Sequence, residues 1–149
     1  VFAVFSLGSE LGWRGYLLPR LMPLGRVPAY LITGLLWGAW FLPMVYAALR
    51  STENMEGFAG FVVRFLVLAV AVSAVLGEIQ RRTNSLCLPA VALGAFAAQL
   101  QGIWAFLFPI DTAPYTGPFG IVAVVVWVIL AFLPRIVVGK PMAPTTRQS

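Results

Sequence analysis

The sequence predicts an all-α, polytopic transmembrane bundle of about five membrane-spanning helices. Three observations carry that expectation. Hydrophobic residues make up 60% of the 149 positions and charged residues only 10%, against about 25% charged in a soluble domain. The mean hydropathy is +0.92. Apolar stretches recur at roughly 1–18, 27–49, 57–79, 86–108 and 118–138, each near the ~20 residues that cross a hydrocarbon core. Backbone groups in lipid must be satisfied within the segment, so these stretches are expected as helices. The valine-rich run around Val122 to Val128 is included, because lipid removes the extended alternative.

The joints follow from the polar and ring residues between the stretches. Pro23-Leu24-Gly25-Arg26 breaks the first pair, and Ser51-Thr52-Glu53-Asn54-Met55-Glu56 divides the second from the third. Arg81-Arg82-Thr83-Asn84 separates the third from the fourth. Asp111-Thr112-Ala113-Pro114-Tyr115-Thr116-Gly117-Pro118 separates the last two. The expected organisation is one membrane domain over 1–139 and a polar cytoplasmic tail over 140–149, with no internal repeat. Val1 already lies in an apolar run without a basic region before it, so no cleavable leader is read there and an N-terminally truncated or processed chain is expected.

Charge orients the bundle. Arg20, Arg26, Arg81, Arg82, Arg135, Lys140 and Arg147 gather on one side, and Arg50, Glu53, Glu56 and Asp111 on the other. The positive-inside rule makes the first side cytoplasmic and places the C-terminus there; the expected location is a bacterial cell membrane. The net charge of +5 is scattered at the ends of apolar runs, so it sets topology and excludes a nucleic-acid binder. A single cysteine, Cys87, excludes an intramolecular disulfide and a cysteine-clustered metal site. It is expected to pack as a small hydrophobe.

The chemistry concentrates in Gly8-Ser9-Glu10-Leu11-Gly12-Trp13-Arg14-Gly15-Tyr16-Leu17. Glu10 and Arg14 stand four apart, with the acid N-terminal to the base, which is the favoured order for an ion pair on one helix face. An ionisable pair inside a membrane points to a functional site. It equally fits a structural pair that neutralises itself and joins two helices. Gly8, Gly12 and Gly15 are expected to let a neighbouring helix approach. Arg64 reads as a snorkelling residue, and Glu78 as a partner of Arg81 or Arg82. Trp37, Trp40, Trp104 and Trp127 fit either interface anchors or core packing.

Three stretches together resemble the CPBP family of intramembrane proteases, relatives of the CAAX prenyl endopeptidase and of bacteriocin-immunity (abortive infection) proteins. Ser9-Glu10-Leu11-Gly12-Trp13-Arg14 resembles the first signature, two adjacent glutamates followed after three residues by arginine. Trp37-Gly38-Ala39-Trp40-Phe41-Leu42-Pro43 resembles the second, an aromatic residue followed four positions later by histidine and then Leu-Pro. Arg82-Thr83-Asn84-Ser85 through Leu93 and Ala97 resembles the third, an Arg-Thr-x-Ser opening followed by a histidine and, four residues on, an asparagine. The three come in the family's order and cover about 8–97. The resemblance implies that the first glutamate and a histidine activate water. It further implies that the remaining polar groups stabilise the oxyanion or, in another account, bind a metal.

Here Ser9 stands for the first glutamate, Phe41 and Leu93 for the two histidines, and Ala97 for the asparagine; the chain has no histidine at all. Only Glu10 and Arg14 remain of the charged set. Hydrolysis needs a base to take a proton from water and donors at the developing oxyanion. A metal usually needs three protein ligands. Loss of one catalytic group typically costs about 10²- to 10⁴-fold, and four positions differ here. No cofactor or metal is expected. The expected function is therefore that of a catalytically degenerate member. It would bind a membrane-embedded or prenylated peptide, or act as an immunity-like or regulatory membrane protein, with the lipid bilayer as its constant partner. Two alternatives stand beside it. One is an active CAAX-type endopeptidase working through Glu10. The other is a fragment of a transporter or channel whose Glu10–Arg14 pair lines a pore.

Overall fold

A computed structural model describes residues 2–50, 58–101 and 119–137. Among these residues the fold is all-helical, with five helical rods. The first rod is continuous but unevenly wound. It runs through α1 (Phe2–Glu10), a π-helical stretch (Leu11–Leu17), α2 (Leu18–Leu21) and a 3₁₀ turn (Met22–Leu24). Then follow α3 (Arg26–Arg50), α4 (Phe58–Thr83), α5 (Cys87–Gln101) and α6 (Ile121–Val137). The loops expected at 51–56 and 111–118 lie outside the described residues, as do Trp104, the far end of the fourth stretch and the polar tail.

The breaks have local causes. Gly25 closes the first rod at φ +102°, a conformation open to glycine and strained for other residues. Pro19 and Pro23 do not break it, because each sits in the first turn of its short segment, where a missing N–H costs nothing. Between α4 and α5 the helix extends further than its charges suggest. Arg81, Arg82 and Thr83 complete the last turn of α4, and the turn proper is Asn84 to Leu86. Thr83 Oγ1 donates to the Ile79 carbonyl. Asn84 takes the left-handed conformation at φ 50°, which a short amide side chain tolerates at a helix end. Ser85 Oγ then accepts the N–H of Cys87 to open α5. Cys87 is exposed at that start, so its expected packing as a small hydrophobe is corrected: Cys87 and Leu88 lie on the outward side of the first turn of α5, while Pro89 and Ala90 take the buried side.

α4 is the central helix. Its Phe61, Phe65, Leu68, Ala69, Val72 and Leu76 are all buried. Lipid tails are as apolar as leucine, so helices associate in a bilayer through close packing at small residues. Four glycines provide it. A methyl group on Gly34 would stand 2.5 Å from the Val70 Cα, and one on Gly38 would stand 2.9 Å from Leu66 Cδ2. One on Gly77 would stand 2.7 Å from the Tyr30 ring, and one on Gly94 would meet the Ala3 backbone at 2.7 Å. These contacts hold α3 against α4 and α5 against α1. Gly8 and Gly12 have nothing within 4 Å of a built Cβ, and only Gly15 is crowded, by Leu86. The helix approach expected at the first two is corrected, because both face outward. Phe119 stacks obliquely on Phe61 and Phe65, and Trp127 meets Phe96 edge-on, which seats α6 on α4 and α5.

Among the described residues, α3 and α4 carry the two stretches long and apolar enough to cross a membrane, Arg26–Ala47 and Phe58–Thr83. Large apolar side chains face outward around the bundle, among them Phe5, Trp40, Met44, Val63 and Val122. Such continuous exposure fits lipid and not water. Gly34→Ala is expected to force α3 and α4 apart and destabilise the protein by about 1–3 kcal/mol. Gly8→Ala should be neutral or stabilising by up to about 1 kcal/mol, from helix propensity alone. Thermal unfolding of both variants in detergent, followed by circular dichroism, checks this. Equal shifts would contradict the close-packed seam.

Candidate functional site

The first rod changes winding where its charges lie. Glu10 is the last residue of α1 and Arg14 sits in the middle of the π-helical stretch, whose wide turn is closed by the Leu18 N–H donating to the Trp13 carbonyl. Pro19 follows at once and withholds the donor that α winding would supply to the Gly15 carbonyl. π-Helical turns recur at functional sites.

Arg14 Nη1 donates to Glu10 Oε1 at 2.7 Å, and both side chains are 0% exposed. The Arg14 guanidinium also lies over the Trp37 ring, 5.4 Å from its centre. Trp37 is buried on α3 and meets Phe41 edge-on at 5.5 Å. It packs in one cluster with Leu68, Ala69, Val72, Leu76 and Leu93, and Trp13 and Phe41 lie against that cluster. The chain of contact is therefore continuous: Glu10 to Arg14, Arg14 to Trp37, and Trp37 to the cluster that holds Phe41 and Leu93.

Five buried polar atoms around this level have no hydrogen-bond partner among the described residues: Glu10 Oε2, Arg14 Nε and Nη2, Thr33 Oγ1 and Ser73 Oγ. Thr33 lies one turn before Trp37 on α3. Ser73 lies one turn before Gly77, whose close contact with Tyr30 fixes the register of α3 on α4. That register sets Thr33 and Ser73 at the same depth. Unpartnered buried hydroxyls are costly in a structural core, and they supply donors and acceptors to whatever enters. Neither residue was singled out from the sequence. The available signal was a lone serine or threonine inside each apolar run, Ile32-Thr33-Gly34 and Val72-Ser73-Ala74.

The other candidate positions lie as follows. Ser9 Oγ donates to the Ser6 carbonyl within its own helix at 2.9 Å. Phe41 is half-buried and Leu93 is buried. Ala97 is half-buried one turn beyond Leu93 on α5. Glu78 is held by Arg81 at 2.6 Å and by Arg82 at 2.7 Å. Arg64 lies back along α4, its Nη1 beside Gly60, toward the helix end. Among the tryptophans, Trp37 is core, Trp40 is 73% exposed, and Trp127 packs on Phe96.

The model of one family, described as Type II CAAX prenyl endopeptidase Rce1-like, matches residues 1–98. The chain belongs to that family. No curated protein and no solved structure matches it. The matched region contains the whole first rod, α3, α4 and most of α5, which together build the site.

A protein of this family is a membrane protein with an intramembrane protease-type fold. In this chain Glu10 Oε2 is the one carboxylate oxygen at the site without a partner. A guanidinium stands beside it, and no cluster of three histidine, cysteine, aspartate or glutamate side chains occurs among the described residues. Catalytic zinc usually takes three protein ligands, and this donor set does not supply them.

The ion pair itself is testable. Glu10→Leu or Arg14→Met alone leaves an uncompensated buried charge, at an expected cost of about 3–5 kcal/mol. The double variant should be less destabilised than either single one. Unfolding titrations in detergent measure all three. Additive losses would show that the two side chains do not depend on each other.

Proposed function

We propose that this chain is a non-hydrolytic member of the CAAX endopeptidase family that holds a membrane-embedded or prenylated peptide without cutting it. The observation that carries the reading is the packing of Phe41 and Leu93. Both stand where the family resemblance calls for imidazoles, and both join the Trp37 cluster. Neither can take a proton from water, and Glu10, the acid retained at the signature, has one oxygen engaged by Arg14. Ser9 engages its own helix and offers no second carboxylate.

What remains suits binding. Arg14 Nε and Nη2 have no acceptor among the described residues, and the buried Thr33 and Ser73 hydroxyls likewise have no partner there. A peptide segment brings carbonyl oxygens, and a peptide C-terminus brings a carboxylate that a guanidinium binds well. Hydrogen bonds formed in a dry site are strong because water does not compete.

The test uses purified protein in liposomes with a fluorescent farnesylated peptide ending in a CAAX sequence. Saturable binding without a cleavage product is expected. Thr33→Val with Ser73→Ala should weaken binding by about 5- to 10-fold, the loss of roughly one net hydrogen bond. Product that accumulates with time and disappears in Glu10→Gln would establish the enzyme and reject this reading.

A further inference from the structure

A second feature lies on another face of the bundle. A groove of about 480 Å³ opens between α3, α4 and α6, lined among others by Tyr30, Leu35, Val63, Val67, Ala74 and Phe132. Glu10 and Arg14 do not border it. Leu35, Val63, Val67 and Phe132 are exposed, so it faces the surrounding lipid. Along α4 it runs from Val63 to Ala74, about 16 Å at 1.5 Å per residue. That is the depth of one leaflet of a hydrocarbon core ~30 Å thick.

One end of the groove is charged. Tyr30 lines it and donates its hydroxyl to Glu78 Oε2 at 3.1 Å. Glu78 in turn receives Arg81 through both carboxylate oxygens and Arg82 through one. Arg26 starts α3 one turn before Tyr30, and Arg81 lies one turn after Gly77. Tyr30 and Gly77 touch, so the three arginines share one end of the helix pair. Among the described residues, three guanidinium groups stand with one carboxylate at that end.

We propose that this groove binds one acyl chain of an anionic glycerophospholipid, with the phosphate set at Arg26, Arg81 and Arg82. The apolar walls alone cannot choose among lipids, since every acyl chain offers them the same surface. The arginine end makes the choice. Basic pockets between transmembrane helices select acidic headgroups, and each basic residue near the surface contributes about 1 kcal/mol. Leaflet-length walls closed by a basic mouth fit a lipid better than a spanning helix, which would run past the arginines.

Native mass spectrometry of the full chain in detergent tests this, with equimolar phosphatidylglycerol and phosphatidylcholine of matched acyl chains. Retention of phosphatidylglycerol over phosphatidylcholine is expected. Arg81→Gln with Arg82→Gln should reduce the preference by about fivefold per arginine. Val67→Trp, which fills the groove and leaves the arginines in place, should reduce bound phosphatidylglycerol. Equal retention of the two lipids by the natural chain overturns the proposal whatever the variants do. So does full phosphatidylglycerol binding by Val67→Trp, which would place the lipid on surface charge and not in the groove. If the double arginine variant fails to fold, Arg26→Gln and the natural chain's own preference decide.

Discussion

The buried Glu10–Arg14 pair governs the arrangement around it. Two opposite charges with no exposed surface are costly in a membrane, and each lowers that cost for the other. Several features serve that pairing. The π-helical turn carries Arg14, Trp37 offers its ring face to the guanidinium, and Gly15 admits Leu86 beside the rod. Tyr30 and Leu18 close on Gly77 one turn away and keep α2, α3 and α4 in fixed register. A helix carrying these charges could not face lipid, so the pair also fixes which side of the first rod turns inward.

The three signature stretches divide into parts that build and parts that react. Arg82-Thr83-Asn84-Ser85 builds: Arg82 anchors Glu78, Thr83 bonds back to Ile79, Asn84 takes the left-handed turn, and Ser85 starts α5. Trp37 builds by supporting Arg14. The positions that would react are Ser9, Phe41, Leu93 and Ala97. They hold a hydroxyl tied to its own helix and three apolar side chains. Replacing buried polar groups by apolar ones is often neutral or stabilising, so the proposed loss of chemistry is compatible with a persistent frame. A kept frame around an apolar centre supports a binding role over a decayed remnant.

Much of this was legible in the sequence because lipid simplifies the problem. Apolar runs near 20 residues must be helices, and Gly25 and the Asn84 turn mark their ends. The four-residue spacing of Glu10 and Arg14 was enough to foresee their contact. Less legible was everything that depends on which face a helix turns inward. Gly8 and Gly12 share a run with Gly15 yet face outward, while the close contacts fall at Gly34, Gly38, Gly77 and Gly94. Hydropathy cannot separate these, because both the core and the lipid are apolar. Thr33 and Ser73 escaped notice for the same reason: one hydroxyl in a long apolar run carries no period. The π-helical winding also left no pattern beyond a proline following two glycines. Cys87 was misjudged because its burial depends on where α5 begins, which the Asn84 turn decides.

The central claim is that no group at this site turns water into a nucleophile. Incubating the protein with a prenylated CAAX peptide in ¹⁸O-labelled water tests it at the level of the bond. Hydrolysis would place the heavy oxygen in the carboxylate of a newly formed peptide C-terminus. The account predicts no labelled product above that of protein-free liposomes. Labelled product that forms with the natural chain and vanishes with Glu10→Gln would contradict it.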